Sequence, residues 1–286
     1  MGSSQRVIVL GSRGMAGHMI LAYLSGLGGY EVVGLARTQD SRFVDRQVDV
    51  ENLGQLADVL KAVQPKVVVN CVGVLNAAAD DDPARAILLN SYLPHRLAQM
   101  GDELGFRLIH LSTDCVFSGT SGRYTEASEP DGITLYARTK ALGEVSSPRH
   151  LTFRTSIVGP ELKQNGSGLL EWFLHQTGLV AGYASVLWTG VTTLELAKAV
   201  HAAIEEDLSG LYHLVADRPI AKYDLLREIA HAFDLRDVQV VPQGSPHCQR
   251  TLVCTRTDFG FHVHDYGTML DELAKAVHNM PDLRWT

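Results

Sequence analysis

Tyr136 and Lys140 are separated by Ala137-Arg138-Thr139. On a helix, positions four apart share a face, so a phenol and an ammonium would sit side by side. A phenol with a pKa near 10 is a poor proton carrier at neutral pH, and a neighbouring cation stabilises its phenolate. Lowering that pKa by about 3 units takes roughly 4 kcal/mol of differential interaction. The pair alone recurs by chance, so the chemistry needs a third group. His110-Leu111-Ser112-Thr113-Asp114 closes a strand-like segment upstream. The carboxyl end of a strand is where sites form in α/β proteins, and there the Thr113 hydroxyl would orient a substrate oxygen.

The chain opens with a second chemical signal. Gly11-Ser12-Arg13-Gly14-Met15-Ala16-Gly17 follows a strand candidate and leads into a helix candidate. Glycines allow the tight turn and close approach of a diphosphate, and the helix N-terminus supplies free N–H groups with positive potential. Enzymes that use NAD place an acid after the second strand for the ribose hydroxyl. Here that segment reads Gly34-Leu35-Ala36-Arg37, with Arg13 in the glycine turn as a second guanidinium. Two such groups suit a 2′-phosphate and favour NADP(H). Asp49 would accept from the adenine amino group, or cap the helix that follows.

These groups need a scaffold, and the first half alternates short apolar runs with helical periods. Strands are expected at Arg6–Leu10, Tyr30–Leu35, Gln47–Val50, Lys66–Cys71, Arg107–Ser112 and Leu151–Arg154. Helices are expected at Met15–Leu27, Asn52–Val63, Ala84–Leu104 and Tyr136–Ser146. Such alternation implies a Rossmann-type, doubly wound parallel α/β sheet. The less regular second half offers strands at Ala184–Leu187, Leu211–Val215 and Val238–Val241, and helices at Thr193–Glu205, Ala221–Phe233 and Tyr266–His278. We expect residues 1–155 to form the nucleotide domain, with 188–218 returning to it. Residues 156–187 and 219–286 would make a smaller C-terminal substrate lobe.

With 286 residues, 45% hydrophobic and 20% charged, the chain has an ordinary globular composition and can bury a full core. A net charge of −7 argues against non-specific nucleic-acid binding. No apolar run reaches membrane-spanning length, and Met1–Arg6 is too short and polar for a secretory signal, so a cytoplasmic location is expected. Cys71, Cys115, Cys248 and Cys254 show no paired spacing and read as free thiols.

The central block is specific enough to carry a resemblance. Ser112-Thr113-Asp114-Cys115-Val116-Phe117-Ser118-Gly119, Tyr124, Glu126, Tyr136 through Lys140, and Gly143-Glu144 resemble the extended short-chain dehydrogenases/reductases. Within that group they resemble the dTDP-4-dehydrorhamnose reductase family. Gly11 to Gly17, Asn70-Cys71-Val72-Gly73, Asn90 with Pro94, Arg154, Gly190 to Thr193 and Gly210 to Leu214 extend the likeness over nearly the whole chain. The resemblance implies that Thr113, Tyr136 and Lys140 are catalytic, with Tyr136 protonating a carbonyl oxygen and Lys140 holding the nicotinamide ribose and lowering the phenol pKa. It implies NADP(H) contacts from Gly11, Ser12, Arg13, Gly14, Met15, Ala16, Gly17, Arg37, Asp49, Val50, Cys71, Val72, Gly73, Asn90, Tyr136, Lys140 and Arg154. Substrate contacts would come from Val74, Thr113, Asp114, Cys115, Val116, Trp188 and Arg256. The implied substrate is a nucleoside-diphosphate 4-keto-6-deoxy sugar, and the implied state a monomer or homodimer.

Departures bear on the sugar. Cys115 stands where the family commonly has Tyr, Ala137 where it has Gly, and Val74 to Ala79 replaces a polar stretch. Related dehydratases carry Glu at the position of Cys115, so dehydration is disfavoured. Cys115 reads as a small buried hydrophobe, and no metal site is expected, since His262 and His264 lack a third ligand at metal-like spacing. Asp80 to Asp82 reads as a solvated loop, and Trp172, Trp188 and Trp285 as packing residues, with Trp188 also able to line a pocket. Arg250 and Arg256 are both candidates to clamp a diphosphate. The alternatives are an epimerase of the same fold and a non-catalytic subunit resembling the regulatory subunit of methionine adenosyltransferase. Intact Thr113, Tyr136 and Lys140 weigh against the latter.

Overall fold

Along Gln5–Leu10 (β1), Val7 and Val9 face one side while Ile8 and Leu10 face the other, and all four are completely buried. A strand apolar on both faces must be covered on both, which parallel sheets achieve with helices. The structure, a computed structural model, describes residues 4–38, 42–162, 166 and 168–280. Trp285 and Met1 to Ser3 lie outside the described residues.

The sequence continues through Met15–Gly26 (α1), Tyr30–Ala36 (β2), Arg46–Gln47 (β3), Leu53–Val63 (α2), Val67–Asn70 (β4), Asn76–Asp81 (α3) and Pro83–Ala86 (α4). A π-helical turn, Ile87–Tyr92, leads into Leu93–Leu104 (α5), then Arg107–Thr113 (β5), Leu135–Leu142 (α6) and Leu151–Thr155 (β6). After these come Ile157–Val158 (β7), Leu169–Leu174 (α7), Gly178–Tyr183 (β8), Val186–Trp188 (β9), Val191–Thr192 (β10), Thr193–Glu205 (α8) and Gly210–His213 (β11). The last elements are Ile220–Ala221 (β12), Lys222–Ala232 (α9), Val238–Gln243 (β13), Cys248–Gln249 (β14) and Tyr266–His278 (α10).

Seven strands form one sheet in the order β11-β6-β5-β4-β1-β2-β3, every neighbouring pair parallel. From β3 to β6 this is the Rossmann order, and the direction of winding reverses between β1 and β4, where ligands bind outside the carboxyl ends. On one face Val7 and Val9 join Met19 and Ile20 of α1 and Leu196 and Val200 of α8. On the other, Ile8 and Leu10 join Leu56 and Leu60 of α2 and Leu93 and Leu97 of α5. Outside the sheet, β8 runs parallel to β13, and β9 lies between β12 and β14. Leu225 of α9 and Leu273 of α10 belong to the same apolar cluster as Val7, so these later elements share the core of the sheet.

Several boundaries differ from expectation. The third strand is Arg46–Gln47, because the chain turns at Asp49, whose carbonyl accepts from Asn52 N–H and whose carboxylate accepts from Glu51 N–H. Asp80 and Asp81 end a short helix, and Asp82 caps the next by accepting from Arg85 N–H at 3.1 Å. The helix expected over 84–104 is interrupted by the π turn. The helix expected to reach Ser146 stops at Leu142, where Gly143 packs so tightly that a Cβ would lie 1.8 Å from the Asn90 carbonyl oxygen. Among the described residues no helix is long and apolar enough to cross a membrane. The four cysteines are unpaired.

Candidate functional site

At the carboxyl end of β1 the chain enters the glycine turn. Gly11 adopts φ +74, a left-handed conformation that favours glycine. Gly14 N–H closes the turn on Gly11 O at 2.8 Å. A Cβ on Gly17 would lie 2.2 Å from that same oxygen, so only glycine lets α1 start here. Gly14, the N-cap, offers no side-chain cap, and the first turn of α1 carries no acid. Its first N–H groups are thus left for an external anion, and the helix dipole favours one. The Ser12 hydroxyl beside them is buried without a hydrogen-bond partner among the described residues. These features fit a dinucleotide diphosphate.

Arg13 donates to the Thr38 hydroxyl and Arg37 is exposed, so both expected cations lie beyond β2 with no acid in Ala36–Thr38. Asp49 is exposed but its carboxylate serves the local turn, and the capping role falls to Asn52, which accepts from Gln55 N–H. Val50 is buried.

The loop after β4, Cys71 to Val74, is tied to the Tyr136 helix by one side chain. Asn90 Oδ1 accepts from Val74 N–H at 2.8 Å, while Nδ2 donates to Val74 O at 2.8 Å and to Thr139 Oγ1 at 3.1 Å. Asn90 is completely buried in the π turn, and its amide is committed to this clamp. Such single-turn bulges commonly occur at functional sites.

Thr134 caps α6 by accepting from Ala137 N–H, and one turn of this helix presents both Tyr136 and Lys140 into the interior. Thr113, ending β5, accepts from Cys115 N–H at 3.1 Å, donates to Asp114 Oδ1 at 3.2 Å, and sits beside the Tyr136 phenol. The phenol does not show the lowered pKa expected from the Tyr–Lys spacing. Burial raises it, the Cys115 and Asp114 charges add to the rise, and the Thr113 hydroxyl opposes it. Lys140 does not offset this burial, since its Nζ donates to Leu111 O at 2.6 Å and lies 3.3 Å from His110 Nε2. Burial pushes the Lys140 ammonium down to about 8, opposed by Glu144 and Cys71.

Beyond Thr113 lies a second group of side chains. Asp114 is buried, which raises its carboxyl pKa against the pull of Lys222 and Arg250. Cys115 Sγ is 3.8 Å from Arg250, and burial pushes its thiol up to about 12. Lys222, the first residue of α9, holds its ammonium 4.5 Å from the Trp188 ring centroid. Burial lowers it to about 8, while Asp114 and Cys115 oppose the shift. Lys222 was missed from sequence, because a lysine opening an amphipathic helix reads as solvated. Val74 is buried in the same apolar cluster as Tyr136, and Val116 in a small one with Phe117 and Leu252.

Two expected residues are engaged elsewhere. Arg154 is buried in a two-pronged pair with Glu144, Nε and Nη2 each at 2.7 Å, with Ser112 Oγ also donating to Glu144 at 2.6 Å. Its charge is thus consumed inside the fold, not offered to a cofactor. Arg256 grips Asp258 and donates to Ser209 O and Leu211 O, at the amino end of β11, the edge opposite the site. Arg250 is the arginine brought to Cys115. His264 gathers with Glu195 and Glu272, whose ligand atoms lie within 4.8 Å of one another. Lys198 already bonds both carboxylates there, at 2.5 Å and 3.4 Å, and supplies the charge that a metal would.

Comparison with known proteins adds four findings. A family model described as RmlD substrate binding domain matches residues 5–253. The chain is 30% identical over 220 residues to dTDP-4-dehydrorhamnose reductase of Salmonella typhimurium, covering 69% of this chain and 72% of that protein. It is 29% identical over 231 residues to dTDP-4-keto-6-deoxy-D-glucose reductase of Streptomyces niveus, covering 78% and 77%. A crystal structure of dTDP-4-dehydrorhamnose reductase from Bacillus anthracis in complex with NADP superposes with a TM-score of 0.81 at 18% identity, covering 96% and 99%, a likeness of fold.

Proposed function

The chain belongs to the RmlD substrate binding domain family, and on that premise we propose that it is an NADP-dependent ketoreductase acting on sugar nucleotides. The substrate in this reading is a nucleoside-diphosphate 4-keto-6-deoxy sugar, as the names of the relatives suggest. The observation that carries it is the meeting of the Tyr136 phenol with the Thr113 hydroxyl, with Lys140 one turn further on, at the sheet edge that also holds the glycine turn.

The N-terminus of α1, Ser12 and the Gly11–Gly17 backbone would hold the diphosphate. The cofactor supplies the hydride. Tyr136 would donate to the carbonyl oxygen, and Thr113 would do so by turning its one hydroxyl hydrogen from Asp114, so that the ketone is held in one orientation. Because burial keeps the Tyr136 phenol protonated at neutral pH, it enters the reaction in the form that can give a proton to the developing alkoxide. Asn90 sets the distance between the cofactor loop and α6, so the proton donor and the hydride site keep one spacing. The division into a nucleotide domain and a smaller substrate lobe is part of this proposal.

Arg37 and Arg13 would take the 2′-phosphate. Arg37→Ala is expected to weaken NADPH binding about 10-fold or more and leave NADH binding unchanged, the scale of one charged hydrogen bond. Fluorescence titrations with the two cofactors measure it, and equal losses for both would refute the assignment.

Lys222 and Arg250 would meet the anionic part of the substrate. Lys222→Met is expected to raise KM about 10-fold with kcat within a few-fold. The folded-state pKa of Lys222 is lowered to about 8, so the charge is present below that pH and lost above it. In the unaltered protein KM should therefore rise as pH passes about 8, and the Met variant should lack that limb. A panel of nucleotide 4-keto sugars, with NADPH oxidation followed by absorbance and product stereochemistry by NMR, tests the whole reading. An absence of turnover across the panel counts against it.

A further inference from the structure

Val72, Asn70, His110 and Lys140 form a chain of polar contacts whose donors and acceptors can be assigned in turn. The Val72 N–H can only donate, and it meets Asn70 Oδ1 at 3.1 Å. That fixes the amide, so Asn70 Nδ2 faces His110 Nδ1, 3.1 Å away. An amide nitrogen only donates, so His110 Nδ1 must be bare. A neutral imidazole with a bare Nδ1 carries its hydrogen on Nε2. His110 is completely buried, and burial, with Lys140 and His95 acting in the same direction, holds it neutral.

Nε2–H is thus aimed at Lys140 Nζ, at 3.3 Å. An ammonium has donors only, so a charged Lys140 sets donor against donor, whereas an amine presents a lone pair. The other Lys140 contact, donation to Leu111 O, is open to both forms.

We propose that His110 is a positioning residue that holds a hydrogen-bond donor toward Lys140 and so favours its amine form. Lys140 then exchanges between amine and ammonium and is not a permanent cation. The other groups facing Lys140 are Glu144, just past the end of its helix, and Cys71 after β4, and both act against the loss of its charge.

Nitrogen-15 NMR of the labelled full chain, without cofactor or substrate, reads the tautomer. The expected result is hydrogen on Nε2 of His110 and none on Nδ1; the reverse overturns the proposal. Carbon-13 titration of the lysine side chains in His110→Phe gives a second readout. Removing a donor that favours the amine should raise the Lys140 midpoint by about half a unit to one unit. If the imidazole instead accepts from the ammonium, the same change lowers the midpoint, and a fall or no movement overturns the proposal. Should the Phe variant not fold, the tautomer of the unaltered protein decides alone. Neither readout uses turnover, so failure to reduce any keto sugar would refute the reaction and leave this inference standing.

Discussion

Tyr136→Phe lowers keto-sugar-dependent NADPH oxidation by about 10²- to 10⁴-fold, the usual contribution of a positioned acid–base group, while NADPH still binds. The ring is 8% exposed and packs in the apolar layer beneath α5 and α6, so Phe keeps the packing and removes one hydroxyl. The Thr113 hydroxyl retains its contacts with Asp114 and Cys115, so the oxygen-binding side of the site stays formed. In the proposed reading the diphosphate is held by the glycine turn, far from the phenol along the chain. Stopped-flow absorbance and a binding titration separate the two effects. Unchanged turnover would remove the proton-donor role, and an unchanged biological activity without turnover would favour a regulatory subunit.

Glu144→Leu costs about 3–5 kcal/mol of stability, because it leaves the Arg154 guanidinium buried without its counter-charge. Arg154 and Glu144 side chains are only 4% and 9% exposed, and the pair spans α6's far end and β6. Ser112 loses its acceptor in the same change, and His213, 3.3 Å from Arg154, gains an uncompensated cation beside it. Adding Arg154→Met should restore much of the loss, since an apolar pair of similar volume removes the unpaired charge. Thermal or denaturant unfolding of both variants measures this. Equal losses in the single and double variants would show that packing, not charge pairing, sets the cost.

Both predictions concern the same construction. β5 delivers Thr113 to the sheet edge, α6 delivers Tyr136 and Lys140, and the Asn90 clamp and the Glu144–Arg154 pair hold α6 against the loops and strands on either side. Reactivity at Tyr136 and stability at Glu144 are therefore expected to be separable: the first variant changes the proposed proton donor, the second a group paired inside the protein.

The sequence carried the local signals well. Thr193–Glu205 and Tyr266–His278 form as helices over the expected residues, because an apolar stripe and a capping Thr192 or Asp265 are read from neighbours alone. The glycine turn was legible because strand, glycines and helix are contiguous. β8 was not: its exposed positions alternate with buried ones between glycines, and its partner β13 is distant in sequence. The π turn left no trace in the helical period of Ala84–Leu104, since it adds a backbone step without changing which residues are apolar.

What the sequence determined by itself is the doubly wound sheet, the nucleotide turn and the phenol–ammonium pair, since each depends on residues within a few turns of one another. Only the tertiary structure decided which arginine is spent inside the fold, that Lys222 reaches Asp114, and that His110 stands between Asn70 and Lys140. Those choices pit the cost of burying a charge or polar group against partners from distant segments, and that balance exists only once the chain has closed.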